Sequence, residues 1–358
     1  MESNKKIACK VNVLADAAVY LSGLTFDEYY LNENAFEKYW EYGVKPLSLI
    51  FHEENAFVNL PGISCPPVSY AHVAALGARL HYPFDSEPNA ERMFDSLDEG
   101  IGWLRRGHDF TANDLFKRYT AYTETLRNYL HDPRIKISGL GLEGPVTTAV
   151  LLRGLDFFID IQEDPEKTKV FLSLVTDSII AFRRFLNKIN GEINGMHTVW
   201  LADDFAALIN PALFGDFVVP YWNRYCEGIS PFGRRVLHCE GLDQKHLQFL
   251  RTVKIDFFDP TISPKLSCRM LEDDLLIPFS WTLPSFYLCG MNEKTIYNWV
   301  EDALTLDNVK NAFNDNDDAN VRKQGLECII TELDRNLLRN DGIGKVRSFI
   351  NSFNNINN

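Results

Sequence analysis

From residue 130 onward, short apolar runs rich in β-branched and aromatic residues alternate with longer amphipathic stretches, the βαβ rhythm of a parallel sheet. The runs predict strands at 135–142, 197–202, 235–239, 255–258, 276–280 and 327–331. Helical periodicity fills the gaps. Asp164 followed by Pro165 supplies an N-cap and a proline at the first helical position; Val170, Leu172, Val175, Ile179 and Phe182 then fall on one side, which predicts a long helix to residue 189. Upstream, 46–51 and 80–83 read as two further strands, while 26–42 and 96–103 read as helices. A strand count near eight predicts an α/β fold of the closed (β/α)8 TIM-barrel type rather than an open doubly wound sheet. The chain then reads as one domain over 1–358, with a helical N-terminal extension over 1–45 and a fraying tail over 351–358. The Asn/Asp-rich run 314–320 reads as a solvated loop or helix end.

Composition narrows the class. The 358 residues are 46% hydrophobic and 24% charged, with no apolar stretch near the eighteen or so residues a membrane span needs. Lys and Arg number 36 against 49 Asp and Glu, a formal charge of -13, and no basic cluster breaks the acidic background. A nucleic-acid partner is therefore not expected. The N-terminus shows no apolar signal region, which predicts a cytoplasmic protein. Seven cysteines are scattered without CxxC spacing, arguing for reduced, buried thiols rather than a disulfide framework or zinc knuckle. Gly139 to Gly144 spells a rough GxGxxG, but Pro145 follows at once and no ribose-binding acid stands at the expected distance.

In a barrel, chemistry sits where strands end, so polar residues there carry the most information. Asp203-Asp204 follow the strand at 197–202, His238-Cys239-Glu240-Gly241 close the next, and Asp259-Pro260 follow the one after. Alternation along a strand puts His238 and Glu240 on one face and Cys239 on the other. An imidazole and a carboxylate so placed can share a metal ion, and a catalytic zinc needs a third protein ligand. Cys328 on the last predicted strand is the first candidate, with Cys289 and Cys268 behind it. The plainer alternative is a hydrogen-bonded pair that holds a loop. One of Asp203 and Asp204 is expected to cap the segment starting at Phe205, leaving the other to face the cavity as an acid, base or orienting group. Gly144, ahead of Pro145, could present backbone N–H groups to an anionic ligand, and Trp281 and Asp259 are further candidates for the substrate pocket.

The order of these motifs resembles the uroporphyrinogen decarboxylase superfamily, and most nearly its zinc methyltransferase branch. The matching stretches are Gly144-Pro145-x-Thr147-x-Ala149, Asp164-Pro165-Glu166, Asp203-Asp204 with Asn210-Pro211 and Pro220-Tyr221, and Leu237-His238-x-Glu240-Gly241. The likeness covers about 135–300 well and the first 130 residues loosely. It implies a barrel with its site at the C-terminal mouth. The tetrapyrrole decarboxylases of the family use an Arg-rich N-terminal segment and an Asp near the second strand; here the region to Lys45 has no arginine, and the stretch where the Asp belongs reads Pro67 to His72.

The methyltransferases use His-x-Cys-Gly plus a distant Cys on zinc. In this chain His238 and Gly241 match, Glu240 replaces the first Cys, and Cys328 lies near the distant one. The resemblance thus implies a zinc enzyme, harder than its thiolate-rich relatives, moving a methyl group between a small O- or N-methyl compound and a corrinoid (cobalamin) protein, as a monomer or homodimer. A metal-free carboxy-lyase and a non-catalytic ligand-binding barrel are the alternatives.

Overall fold

The computed structural model describes residues 7–52, 56–192, 197–308 and 325–357. Among them, seven strands form one parallel sheet: β1 (Ala8–Val13), β2 (Phe57–Asn59), β3 (Thr198–Ala202), β4 (Arg234–His238), β5 (Phe257–Asp259), β6 (Phe279–Leu283) and β7 (Leu326–Leu333). Their order is β2-β1-β7-β6-β5-β4-β3. Between β3 and β2 the wall continues through segments rather than strands: Val68 and Leu140 share a lone parallel bridge, and Gly144 N–H donates to the carbonyl of Ala202. The result is a (β/α)8-barrel-like curl whose regular ladder stays open at that seam.

Parallel strands under helices need one apolar face, and these strands have it. Val199 and Leu201 on β3, Leu237 on β4, Phe258 on β5 and Ile329 on β7 are almost fully buried. The alternate residues, among them Trp200, His238, Asp259, Ser280 and Cys328, fall on the opposite, interior face. The long helix runs over Pro165–Ile189, with Asp164 accepting from Lys167 N–H at its start. Helix 97–104 starts where expected, capped by Ser96.

Several expectations are corrected. The stretch 1–45 is not all helical, because β1 lies within it and pairs with both β2 and β7. Its Ala-Cys-Lys-Val-Asn-Val spelling is a strict alternation with Cys9, Val11 and Val13 buried, which is the period of a strand. The expected strand 46–51 is the helix Lys45–Ile50, which continues directly from the π-helical turn Tyr39–Val44 with Pro46 just past the junction. Leu80–His81 pairs antiparallel with Asn89–Ala90 and does not join the barrel. Of 135–142 only Leu140 bridges. Gly139, at φ 79, and Gly141 bring this segment so close to 65–69 that an added Cβ would sit 2.7 and 2.8 Å from backbone atoms there, and Val68 bonds both, its N–H donating to Gly139 C=O and its C=O accepting from Gly141 N–H. The tail does not fray at 351: helix Gly342–Asn357 continues, with Ser352 and Phe353 buried. The run 314–320 lies outside the described residues.

All seven cysteines are free, and no helix among the described residues is long and apolar enough to cross a membrane.

Candidate active site

Two adjacent aspartates at the end of β3 part company. Asp203 turns into the protein and is fully buried, and its carboxylate accepts from Val146 N–H at 3.2 Å, Thr147 N–H at 2.6 Å and the Trp222 indole N–H at 2.6 Å. It therefore caps α1 (Pro145–Arg153), a helix more than fifty residues earlier, and not the segment that follows it. Gly144 is the close-approach point: a Cβ there would lie 2.5 Å from Asp203 Cβ. The anion site expected at Gly144 is thus filled by the protein's own carboxylate. Burial pushes Asp203 up to about 6, while its hydrogen bonds pull the other way.

Asp203 also ties β3 to β4. Its N–H donates to His238 C=O at 3.1 Å, and the buried Cys239 thiol donates to Asp203 C=O at 3.1 Å. This holds Cys239 inward and leaves His238 and Glu240 toward the cavity, the alternation read from the spacing. Gly241, at φ 78, turns the chain away immediately afterwards.

Asp204 faces the mouth. Its Oδ1 accepts from Glu240 N–H at 2.8 Å and lies 3.7 Å from His238 Nε2. His238 Nδ1 lies 3.2 Å from Asp259 Oδ2, and Asp259 in turn accepts from Ser280 Oγ at 2.8 Å and from Thr261 Oγ1 at 3.0 Å. Burial opposes charging His238, but the Asp259 hydrogen bond and charge, joined by Asp204 and Glu240, outweigh it and raise the imidazole to about 9. Desolvation likewise opposes ionising Asp259, yet His238, Ser280 and Thr261 hold it below its ordinary value. The pair is an imidazolium and a carboxylate at neutral pH.

Around this pair stand acids that resist ionisation. Glu143, just before Gly144, is raised to about 8 by desolvation, then by Asp204 and Asp203. Glu240 is raised to about 7 by desolvation, then by Asp204. Glu332 on β7 is raised by burial, within reach of Asp259 and His238. Glu143 was not singled out from the sequence, although the strand-end rule covers it: it is the carboxylate immediately before a Gly-Pro helix start. Trp200 shares a strand face with Ala202, the register partner of His238, and is 56% exposed.

The three expected zinc ligands do not converge. Cys328 lies on β7 beside Ser280 of β6, which bonds Asp259 of β5, which pairs with His238 of β4. Three strand spacings, roughly 14 Å along the curved sheet, separate the thiol from the imidazole. His238 Nδ1 is engaged by Asp259, and Nε2 lies 3.7 Å from Asp204 Oδ1. Burial raises the Cys328 thiol, against Lys10 beside it. Among the described residues no three His, Cys, Asp or Glu side chains form a metal-binding group. The donor set does not fit a resident zinc. Cys268 and Cys289 are on helices, outside the cluster. Trp281 alternates with Ser280, pairs in register with the fully buried Ile329 and packs on the core, so it faces away from the mouth.

A barrel-like sheet carrying an acid–base cluster at the C-terminal ends of its strands defines the class. Residues 69–275, over half of the chain, match the uroporphyrinogen decarboxylase (URO-D) family, and the chain belongs to it. A solved methyltransferase from Methanosarcina mazei is similar over 99% of this chain and 95% of its own, at 14% identity and a TM-score of 0.66, a likeness of fold. No curated protein matches the sequence.

Replacing Asp203 by Ala strands three buried donors, each costing about 1–3 kcal/mol. A loss of about 3 kcal/mol or more in urea unfolding is expected, with Asp203→Asn less severe. The His238 ring should titrate by NMR near 9 and move to 6.5 or below in Asp259→Asn; since the folded ring keeps its proton above the unfolded value of 6.5, its stabilising contribution is complete below that pH and lost as pH rises through about 9. Elemental analysis should find the same zinc content in wild type and Cys328→Ser; a marked drop would restore the three-ligand site.

Proposed function

We propose that this chain is a methyltransferase that moves a methyl group from a small O- or N-methyl compound to the corrinoid of a partner protein, with side-chain acids serving the leaving heteroatom. One observation carries the reading: Glu143, a carboxyl that keeps its proton at neutral pH, sits at the barrel mouth within electrostatic reach of Asp204 and His238. The full-length likeness to a methyltransferase supports the same reaction class.

Breaking a C–O or C–N bond sends the electron pair to the heteroatom while the methyl carbon bonds to the acceptor. The acceptor corrinoid, when its carrier protein docks, supplies the nucleophile. Glu143 supplies the proton that a departing oxygen, or a nitrogen bound as the free amine, must carry, a role open to a carboxyl whose affinity for protons lies near the working pH; a donor bound as an ammonium ion departs as the neutral amine and draws no proton from it. His238, charged through Asp259, fixes Asp204 across its other nitrogen and keeps the wall of the cavity in place. A carboxy-lyase acting on a polycarboxylate fits the site less well: the substrate would meet Glu143, Asp204, Glu240, Asp259 and Glu332 while His238 is already engaged.

In a coupled assay that follows corrinoid absorbance on addition of methyl donors, Glu143→Gln is expected to lower kcat by about 10²-fold or more with little change in unfolding midpoint. The wild-type rate should fall as pH rises through about 8, and that limb should vanish in the variant. Unchanged turnover in Glu143→Gln would remove Glu143 as the acid.

A further inference from the structure

Beside the acid cluster lies a cavity of about 250 Å³ between the 67–70 segment and the 86–89 loop, with Ser69, Tyr70, Glu87 and Asn89 in its walls and no Lys or Arg. It is smaller than the roughly 300–1,000 Å³ of drug-sized sites, so its guest is a compact molecule and not a macrocycle. Tyr70 belongs to both places. Its hydroxyl, partly desolvated, feels Glu143 first, then Glu87 and Asp204. Tyr70 thus borders both the cavity's own carboxylate and the cluster that holds the proposed proton donor.

We infer that this cavity binds the methyl donor as a methylated ammonium ion, its charge met by the Glu87 carboxylate and the face of Tyr70. The inference rests on the methyl-transfer reading for the word donor, and on the cavity alone for the cation. An aromatic ring next to a carboxylate, with cationic side chains excluded from the lining, is the chemistry that holds alkylammonium groups. Proline walls at 67 and 88 supply apolar surface for the methyl groups. Glu87 points the same way: although the residue is exposed, its carboxyl is raised by desolvation and then by Asp16, a strain that a cationic guest relieves. A neutral methyl ether would gain the apolar contact and lose the charge interaction. A carboxylated donor would be repelled.

Two isosteres separate these cases without any methyl acceptor. Titration calorimetry at pH 7 compares N,N-dimethylethanolamine, a cation at that pH, with 3-methylbutan-1-ol, which has the same shape and no charge. Binding of the cation at least tenfold tighter is expected, with Glu87→Gln and Tyr70→Leu each erasing most of that preference while the alcohol binds as before. Equal affinities for the two compounds, or a preference that survives Glu87→Gln, would overturn the assignment. Folding of each variant is checked by its unfolding midpoint. Cation binding with no transfer to a corrinoid protein would sink the methyl-transfer reading and leave the cation site standing; transfer from a neutral donor with no cation preference would do the reverse.

Discussion

A buried carboxylate at a helix start organises this site. Asp203 accepts two backbone N–H groups of α1 and the indole of Trp222, while its own backbone is bonded to His238 and Cys239. Three pieces of chain distant in sequence meet on one residue: the 143–147 turn, the end of β3 and the end of β4. A carboxylate at a helix N-terminus is favoured by the orphan donors and the dipole. The desolvation cost is still evident in its raised proton affinity. With Asp203 fixed inward, the adjacent Asp204 must face the mouth, and Glu143 is drawn in beside it. The same contact thus builds the frame and creates the crowding of acids at the mouth.

That crowding has a definite electrostatic outcome. Asp259 is held below its ordinary value by the charged His238, with Ser280 and Thr261 adding hydrogen bonds. Glu143 and Glu240 have no comparable partner and hold their protons toward neutral pH, desolvation leading and neighbouring carboxylates following. Environments that push neighbouring titratable groups apart mark acid and base roles. In this mouth the division falls between the His238–Asp259 ion pair and the raised carboxyls of Glu143 and Glu240.

Much of this could be read from the residues alone, and the failures share a cause. The strand-end rule found Asp203, Asp204, His238, Glu240 and Asp259, because position at the end of an apolar run is local information. Alternation correctly separated His238 and Glu240 from Cys239. What escaped is non-local. Nothing near Asp203 says that it caps a helix more than fifty residues away, and nothing near Cys328 gives its distance from β4. Strand and face are written in the period; the number of strands between two residues is written in the topology. β1 escaped for a different reason: its six residues include Lys10 and Asn12 and no aromatic, so that a strand paired on both sides read as part of a helical extension.

The charge inside the mouth and the identity of a leaving group are one constraint seen twice. A protonated carboxyl beside a free amine and a carboxylate beside an ammonium contain the same atoms and the same proton. Under the proposed methyl transfer, Glu143 holds the proton that a donor bound as the free amine must gain, whereas a donor bound as an ammonium ion departs neutral without it. An ether needs that proton moved onto a weakly basic oxygen, which a carboxyl titrating near 8 does poorly. If the proposed methyl transfer holds, the acidity of the cluster suits a nitrogen leaving atom better than an ether oxygen.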